Sequence, residues 1–82
     1  MSLNFDEILE KHYDEIFHYV RKQLNNQEDA KDLTQDIFLK VYEKQHTYRN
    51  ELSSPRTWIY SIAHNIVVNH FQSSYQKKKN NL

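Results

Sequence analysis

The chain has 82 residues with 11 basic and 11 acidic side chains, five histidines, one proline, and neither glycine nor cysteine. One small domain is expected, with a core that is marginal unless its elements pack well. The missing cysteines exclude a disulfide framework, a thiolate metal site and a cysteine nucleophile, and the missing glycines exclude phosphate-cradling and dinucleotide-binding loops.

Zero net charge removes the bulk basic footprint of a domain that grips nucleic acid non-specifically. The distribution is uneven, however. All acids except Glu43 and Glu51 precede residue 40, and after Leu52 the only Lys or Arg residues are Arg56, Lys77, Lys78 and Lys79. No apolar run approaches the roughly 20 residues that span a bilayer, and MSLNFDEILE lacks the basic start and apolar stretch of a signal peptide. A soluble, cytoplasmic chain without membrane insertion is therefore expected.

The first element opens at Asn4, an N-cap, with Glu7 three residues on to complete a capping box. Phe5, Ile8, Leu9, Tyr13, Ile16, Phe17, Val20 and Leu24 recur at helical spacing and predict one inward face, ended by Asn25 and Asn26. A second helix starts with Asn26 as cap and acids in its first turn, where the helix dipole favours them. Ala30, Leu33, Ile37 and Val41 are its expected core stripe. Residues 46–53 have no period and read as a short loop holding Tyr48, Arg49 and Asn50. The third helix starts with Ser54 as cap and Pro55 at the first position, where its missing N–H costs nothing. It is expected to run to about Tyr75 with Ile59, Ile62, Ala63 and Ile66 inward. The expected organisation is an all-α helical domain over 1–76 and a basic, disordered tail over 77–82.

Two helix flanks could carry function. At about 100° per residue, Trp58, Ser61, Asn65, Asn69 and Gln72 share one flank of the third helix. Asn and Gln can pair with base edges, and an indole offers a stacking surface for single-stranded nucleic acid. Spacing alone leaves this open against a boundary core tryptophan beside solvated amides. On the second helix Asp29, Asp32, Asp36 and Glu43 share a flank, with Gln35 and Leu39 at its margin. Acids around an outward leucine suit a basic protein partner, or are an ordinary solvated face. His12, His18, His46, His64 and His70 include no pair at the i, i+4 spacing of a helical zinc site. With no candidate nucleophile either, neither catalytic residues, nor a metal, nor a cofactor is expected.

The runs DAKDLTQDIFLKVYEK and RTWIYSIAHNIVVNHF, separated by the loop, together resemble region 2 of bacterial RNA polymerase sigma factors of the extracytoplasmic-function type. FDEILEKHYDEIFHYV is similar to that family's opening helix. The resemblance covers nearly the whole chain and implies a compact three-helix domain. It implies that Asp29, Asp32, Gln35, Asp36 and Leu39 bind the β′ clamp helices of RNA polymerase. It also implies that Tyr48, Arg49, Asn50, Arg56, Trp58, Tyr60, Ser61, Asn65 and Asn69 open the promoter minus-ten element and hold its non-template strand, with Asn65 at a flipped-base pocket. Primary sigma factors carry a second aromatic where this chain has Ile59, which implies narrower, more sequence-dependent melting. The family's usual basic residue after its I-A-x-N run is absent as well. The family's helix-turn-helix region is not in this sequence, so the expectation is either a piece of a longer factor or one half of a split one with a separate region 4 subunit. An anti-sigma factor is a further expected partner, and a helical protein-interaction module without DNA recognition of its own is the alternative reading.

Overall fold

In the computed structural model, residues 3–73 are described in full and residues 74–80 by their backbone. Three helices follow in order, α1 (Phe5–Gln23), α2 (Gln27–Lys44) and α3 (Pro55–Asn80), with a short 3-10 turn at Gln45–Thr47. Among the described residues there is no strand, so the all-α, three-helix expectation holds. α3 continues past the expected end near Tyr75. The tail expected over 77–82 lies outside the fully described residues.

Each helix start is fixed by a side-chain oxygen that accepts an otherwise unpaired N–H. Asn4 Oδ1 accepts from the Glu7 amide at 3.2 Å. Asn26 Oδ1 accepts from the Glu28 amide at 2.8 Å and from the Asp29 amide at 3.2 Å. Ser54 Oγ accepts from the Thr57 amide at 3.2 Å, one residue before Pro55. At the far end of α1 the Leu24 amide donates to the Val20 carbonyl at 3.1 Å while Arg21 Nη1 donates to the Leu24 carbonyl at 3.1 Å. Basic Arg21 and Lys22 in that last turn suit the negative end of the helix dipole. The short link to α2 then turns the chain back on itself.

α2 is the central element and packs on both neighbours, whereas α1 and α3 share the slimmest of the three helix contacts. A helix covered on two sides buries a wider stripe than one covered on a single side. This explains why Thr34 and Phe38 are buried in addition to the expected Ala30, Leu33, Ile37 and Val41. The Thr34 hydroxyl is satisfied by donating to the Ala30 carbonyl at 2.7 Å, and Phe38 stacks on Tyr13 with ring centroids 5.6 Å apart. Ile16, Val20, Ile37, Val41, Ile59 and Ala63 are fully shielded from solvent. Each such large aliphatic chain contributes about 1.5–3 kcal/mol by leaving water.

The α3 stripe needs one correction. Ile59, Ile62 and Ala63 are buried as expected, but the next core position is Val67, not Ile66. Ile59, Ala63 and Val67 form an i, i+4 row laid against the neighbouring helices. Ile66 is only half-buried, on the rim of a shallow depression formed with Asp36, Leu39, Lys40 and Glu43. The part of α2 facing it is mostly polar and cannot close over it.

Candidate nucleic-acid and partner interfaces

α2 turns its polar side outward. Asp29, Asp32, Gln35 and Asp36 are exposed, and Leu39 and Tyr42 stand among them with 58% and 54% of their surface in solvent. Glu43 is tied to Lys40 at 3.3 Å. The other ion pairs among the described residues involve His12, Arg49 and Arg56, so the carboxylates of Asp29, Asp32 and Asp36 have no cationic partner there. Leu39 and Tyr42 also border a shallow apolar groove with Leu9, Tyr13 and Phe38. Phe5 closes one end, edge-on to Tyr42 at 5.1 Å. Unpaired carboxylates beside exposed apolar side chains can meet a basic, partly apolar helix with charge-assisted bonds.

The second surface is built where the loop folds back on α3. The Tyr48 hydroxyl donates to the Ser53 carbonyl at 2.7 Å, which bends the loop and sets the Tyr48 ring 5.3 Å from Trp58 with a tilt of 57°. Trp58 itself is half-buried and packs against the core. Its packing against the core fits the boundary position, and the part that stays accessible leaves the stacking reading open. Arg49 and Asn50 are exposed at the loop tip, where Arg49 Nε pairs with Glu51 Oε1 at 2.6 Å and the Leu52 amide closes a turn on the Arg49 carbonyl at 3.0 Å. Along the flank from Trp58, Ser61, Asn65 and Asn69 are exposed. The Ser61 hydroxyl donates to the Trp58 carbonyl at 2.6 Å, leaving its oxygen as an acceptor. Among the described residues no side-chain hydrogen bond engages Asn65 or Asn69, so both amides retain their full donor and acceptor capacity.

Two of the expected strand-facing residues are not on this flank. Arg56 and Tyr60 lie about 160° around α3 from Trp58, on the side facing α1. Arg56 Nε donates to Glu15 Oε1 at 2.8 Å, and its guanidinium carbon lies 4.9 Å from the centre of the Tyr60 ring. Tyr60 meets Tyr19 edge-on at 5.3 Å, and Tyr19 Oη lies 3.5 Å from His64 Nδ1. The other Glu15 oxygen, Oε2, is 3.2 Å from His12 Nδ1. Burial alone would raise the Glu15 pKa, but His12, Tyr60 and Arg56 at its oxygens, with the Arg56 charge, draw it below its ordinary 4.5. Conversely, burial and the neighbouring Glu15 carboxylate push the Tyr60 phenol up.

This bridge joins residues far apart in the chain and was not singled out by periodicity. A signal was nevertheless available, since Glu15 and Tyr19 are an i, i+4 pair on α1 and Arg56 and Tyr60 an i, i+4 pair on α3. Each pair occupies one helix face, and together they set α1 and α3 running in the same direction. Among the described residues no three metal-ligating side chains converge on one point, and no helix is long and apolar enough to cross a membrane.

Residues 8–76 match the Sigma-70 region 2 family. The chain is similar to the RNA polymerase sigma factor YlaC of Bacillus subtilis, with 35% identity over 69 residues that cover 84% of this chain and 39% of that protein. It is similar to the RNA polymerase sigma factor HrpL of Pseudomonas syringae at 32% identity over 59 residues, 72% of this chain and 32% of that one. To the ECF RNA polymerase sigma factor BldN of Streptomyces coelicolor it is 27% identical over 70 residues, 85% of this chain and 26% of that one. The chain thus spans less than two fifths of the length of each of these relatives. No solved structure matches it.

Proposed function

The chain belongs to the Sigma-70 region 2 family, in its extracytoplasmic-function branch, and we propose on that premise that it acts in transcription initiation by joining RNA polymerase to the melted minus-ten element. In this reading α2 docks on the β′ clamp helices through Asp29, Asp32, Gln35, Asp36 and Leu39. The loop and α3 hold the non-template strand through Tyr48, Arg49, Asn50, Trp58, Ser61, Asn65 and Asn69. The observation that carries it is the pair of unengaged amides, Asn65 and Asn69, exposed along the flank that begins at the Tyr48 and Trp58 rings.

The chemistry of each surface fits its role. Flat rings take unstacked bases at about 1–3 kcal/mol per base, tolerant of sequence, and free amides add discrimination by pairing with base edges. Zero net charge means that few phosphates are neutralised by this domain alone. The strand is therefore held mainly while polymerase supplies the electrostatic grip, which couples strand recognition to docking.

Exposed Leu39 and Tyr42 favour a second reading, a helical protein partner seated on α2 without strand contact. Capture on an immobilised β′ clamp-helix fragment tests the docking half. Wild-type chain should be retained, and Asp32→Lys with Asp36→Lys should weaken retention by about tenfold or more through charge repulsion while the helical circular-dichroism spectrum stays unchanged. Equal retention of both would refute docking through this flank. Loss of strand discrimination in Asn65→Ala with intact capture separates the first reading from the second.

A further inference from the structure

We infer that Glu15 is a positioning residue for strand recognition, fixing the tilt of α3 against α1 by holding Arg56 and Tyr60; this rests on the strand-binding reading above. α1 and α3 meet over the slimmest of the three helix contacts, so α3 is held mainly from its α2 side, and a polar bridge on the α1 side can bias its tilt. The Glu15 carboxylate spans that seam. One oxygen takes the Arg56 Nε hydrogen bond at 2.8 Å, and the other lies against His12 at 3.2 Å, which anchors the carboxylate to its own helix. Arg56 in turn lies over the Tyr60 ring, and Tyr60 meets Tyr19 edge-on, so the bridge extends across successive turns of both helices.

The lever arm makes a modest bridge consequential. Asn65 sits roughly 14 Å along α3 from Arg56, so a tilt of about 10° displaces it by about 2 Å. Recognition sites function when their groups are held to within about 0.5 Å. The same geometry gives Arg56 a different part from the one its charge suggests: it faces α1, on the far side of α3 from Trp58 and Asn65, and influences the strand through the helix rather than by contact.

A double-mutant cycle with a distance measurement tests this. The chain has no native cysteine, so spin labels introduced at the exposed positions Glu10 and Phe71, both off the strand-facing flank, report the α1 to α3 distance unambiguously. The background is wild type, Glu15→Ala, Arg56→Ala and the double variant, each assembled with core polymerase and titrated with a single-stranded oligonucleotide pool randomised over the minus-ten stretch. Both single variants should broaden the distance distribution and weaken strand binding by about tenfold, between the loss of a surface ion pair and that of an ångström-scale misplacement. The double variant should be no weaker than either single one, because both remove the same bridge, and capture on the clamp-helix fragment should not change. Additive losses would mean that Arg56 touches the strand itself, and an unchanged distance distribution would mean that Glu15 does not position α3; either overturns the inference. A wild-type chain that binds no oligonucleotide would refute the strand-binding reading alone, and the distance distributions would still decide whether Glu15 sets the helix tilt.

Discussion

Trp58→Ala should damage both stability and strand binding, and the structure sets the size of the first effect. Complete removal of a buried aromatic chain costs about 3–5 kcal/mol; Trp58 is half-buried, which scales the loss to about 1.5–2.5 kcal/mol. Losing the ring contact with Tyr48 at 5.3 Å adds about 0.5–1.5 kcal/mol. A domain of 82 residues has roughly 4–12 kcal/mol in total, so the variant should still fold. At about 4–8 °C per kcal/mol, its Tm should fall by roughly 8–32 °C. Trp58→Phe should recover part of both properties. Asn65→Ala provides the contrast, because Asn65 is exposed and unbonded internally, and alanine favours helix by about half a kcal/mol. Its Tm should match or slightly exceed that of wild type. Thermal melts followed by circular dichroism measure both, with strand binding titrated well below either Tm. A Trp58→Ala variant melting within two or three degrees of wild type, on the order of half a kcal/mol, would refute the packing role assigned to the Tyr48 and Trp58 contact.

Ile37→Ala, at the fully shielded centre of α2, should lose about 2–5 kcal/mol and shift the urea midpoint sharply; a small shift would mean that the core closes over the cavity. Glu15 gives a pH signature. Its folded pKa lies below the ordinary 4.5, so its stabilisation is present above that value and is lost as pH falls through the folded pKa. The stability difference between wild type and Glu15→Gln should thus shrink in acid, by a modest amount because the partially exposed pair is screened. A pH-independent difference would contradict the ion-pair account. Free of polymerase, the chain should bind duplex promoter DNA weakly at physiological salt, and fluorescence titration showing submicromolar affinity would contradict the view that polymerase supplies the phosphate grip.

The caps and most of the core were readable from the residues because both depend on local chemistry. Asn4, Asn26 and Ser54 cap as their types and positions predict, and the stripes of Ala30, Leu33, Ile37 and Val41 and of Ile59, Ile62 and Ala63 follow from period alone. Periodicity within one helix does not reveal how many neighbours cover it. Thr34 and Phe38 were missed because α2 is covered on two sides, and Ile66 was misassigned because the opposing surface of α2 is polar there. The candidate surfaces divide in the same way. Asn65 and Asn69 could be placed on a flank from spacing, whereas the folding of Tyr48 onto Trp58 depends on a loop without a period. Arg56 was expected among the strand contacts, but its partner, Glu15, comes from a different helix, which periodicity within α3 does not reveal.

The most direct test of the central claim uses core polymerase loaded with this chain and a DNA library whose non-template strand is single-stranded and randomised across the minus-ten stretch. Sequencing of the retained strands should show base preferences at one or more positions that core polymerase alone does not select. Asn65→Ala should keep the chain on polymerase and flatten the preference at one of those positions. Retained strands no different from those of core polymerase alone, or a preference unchanged by Asn65→Ala, would contradict the assignment of the α3 flank as the surface that reads the strand.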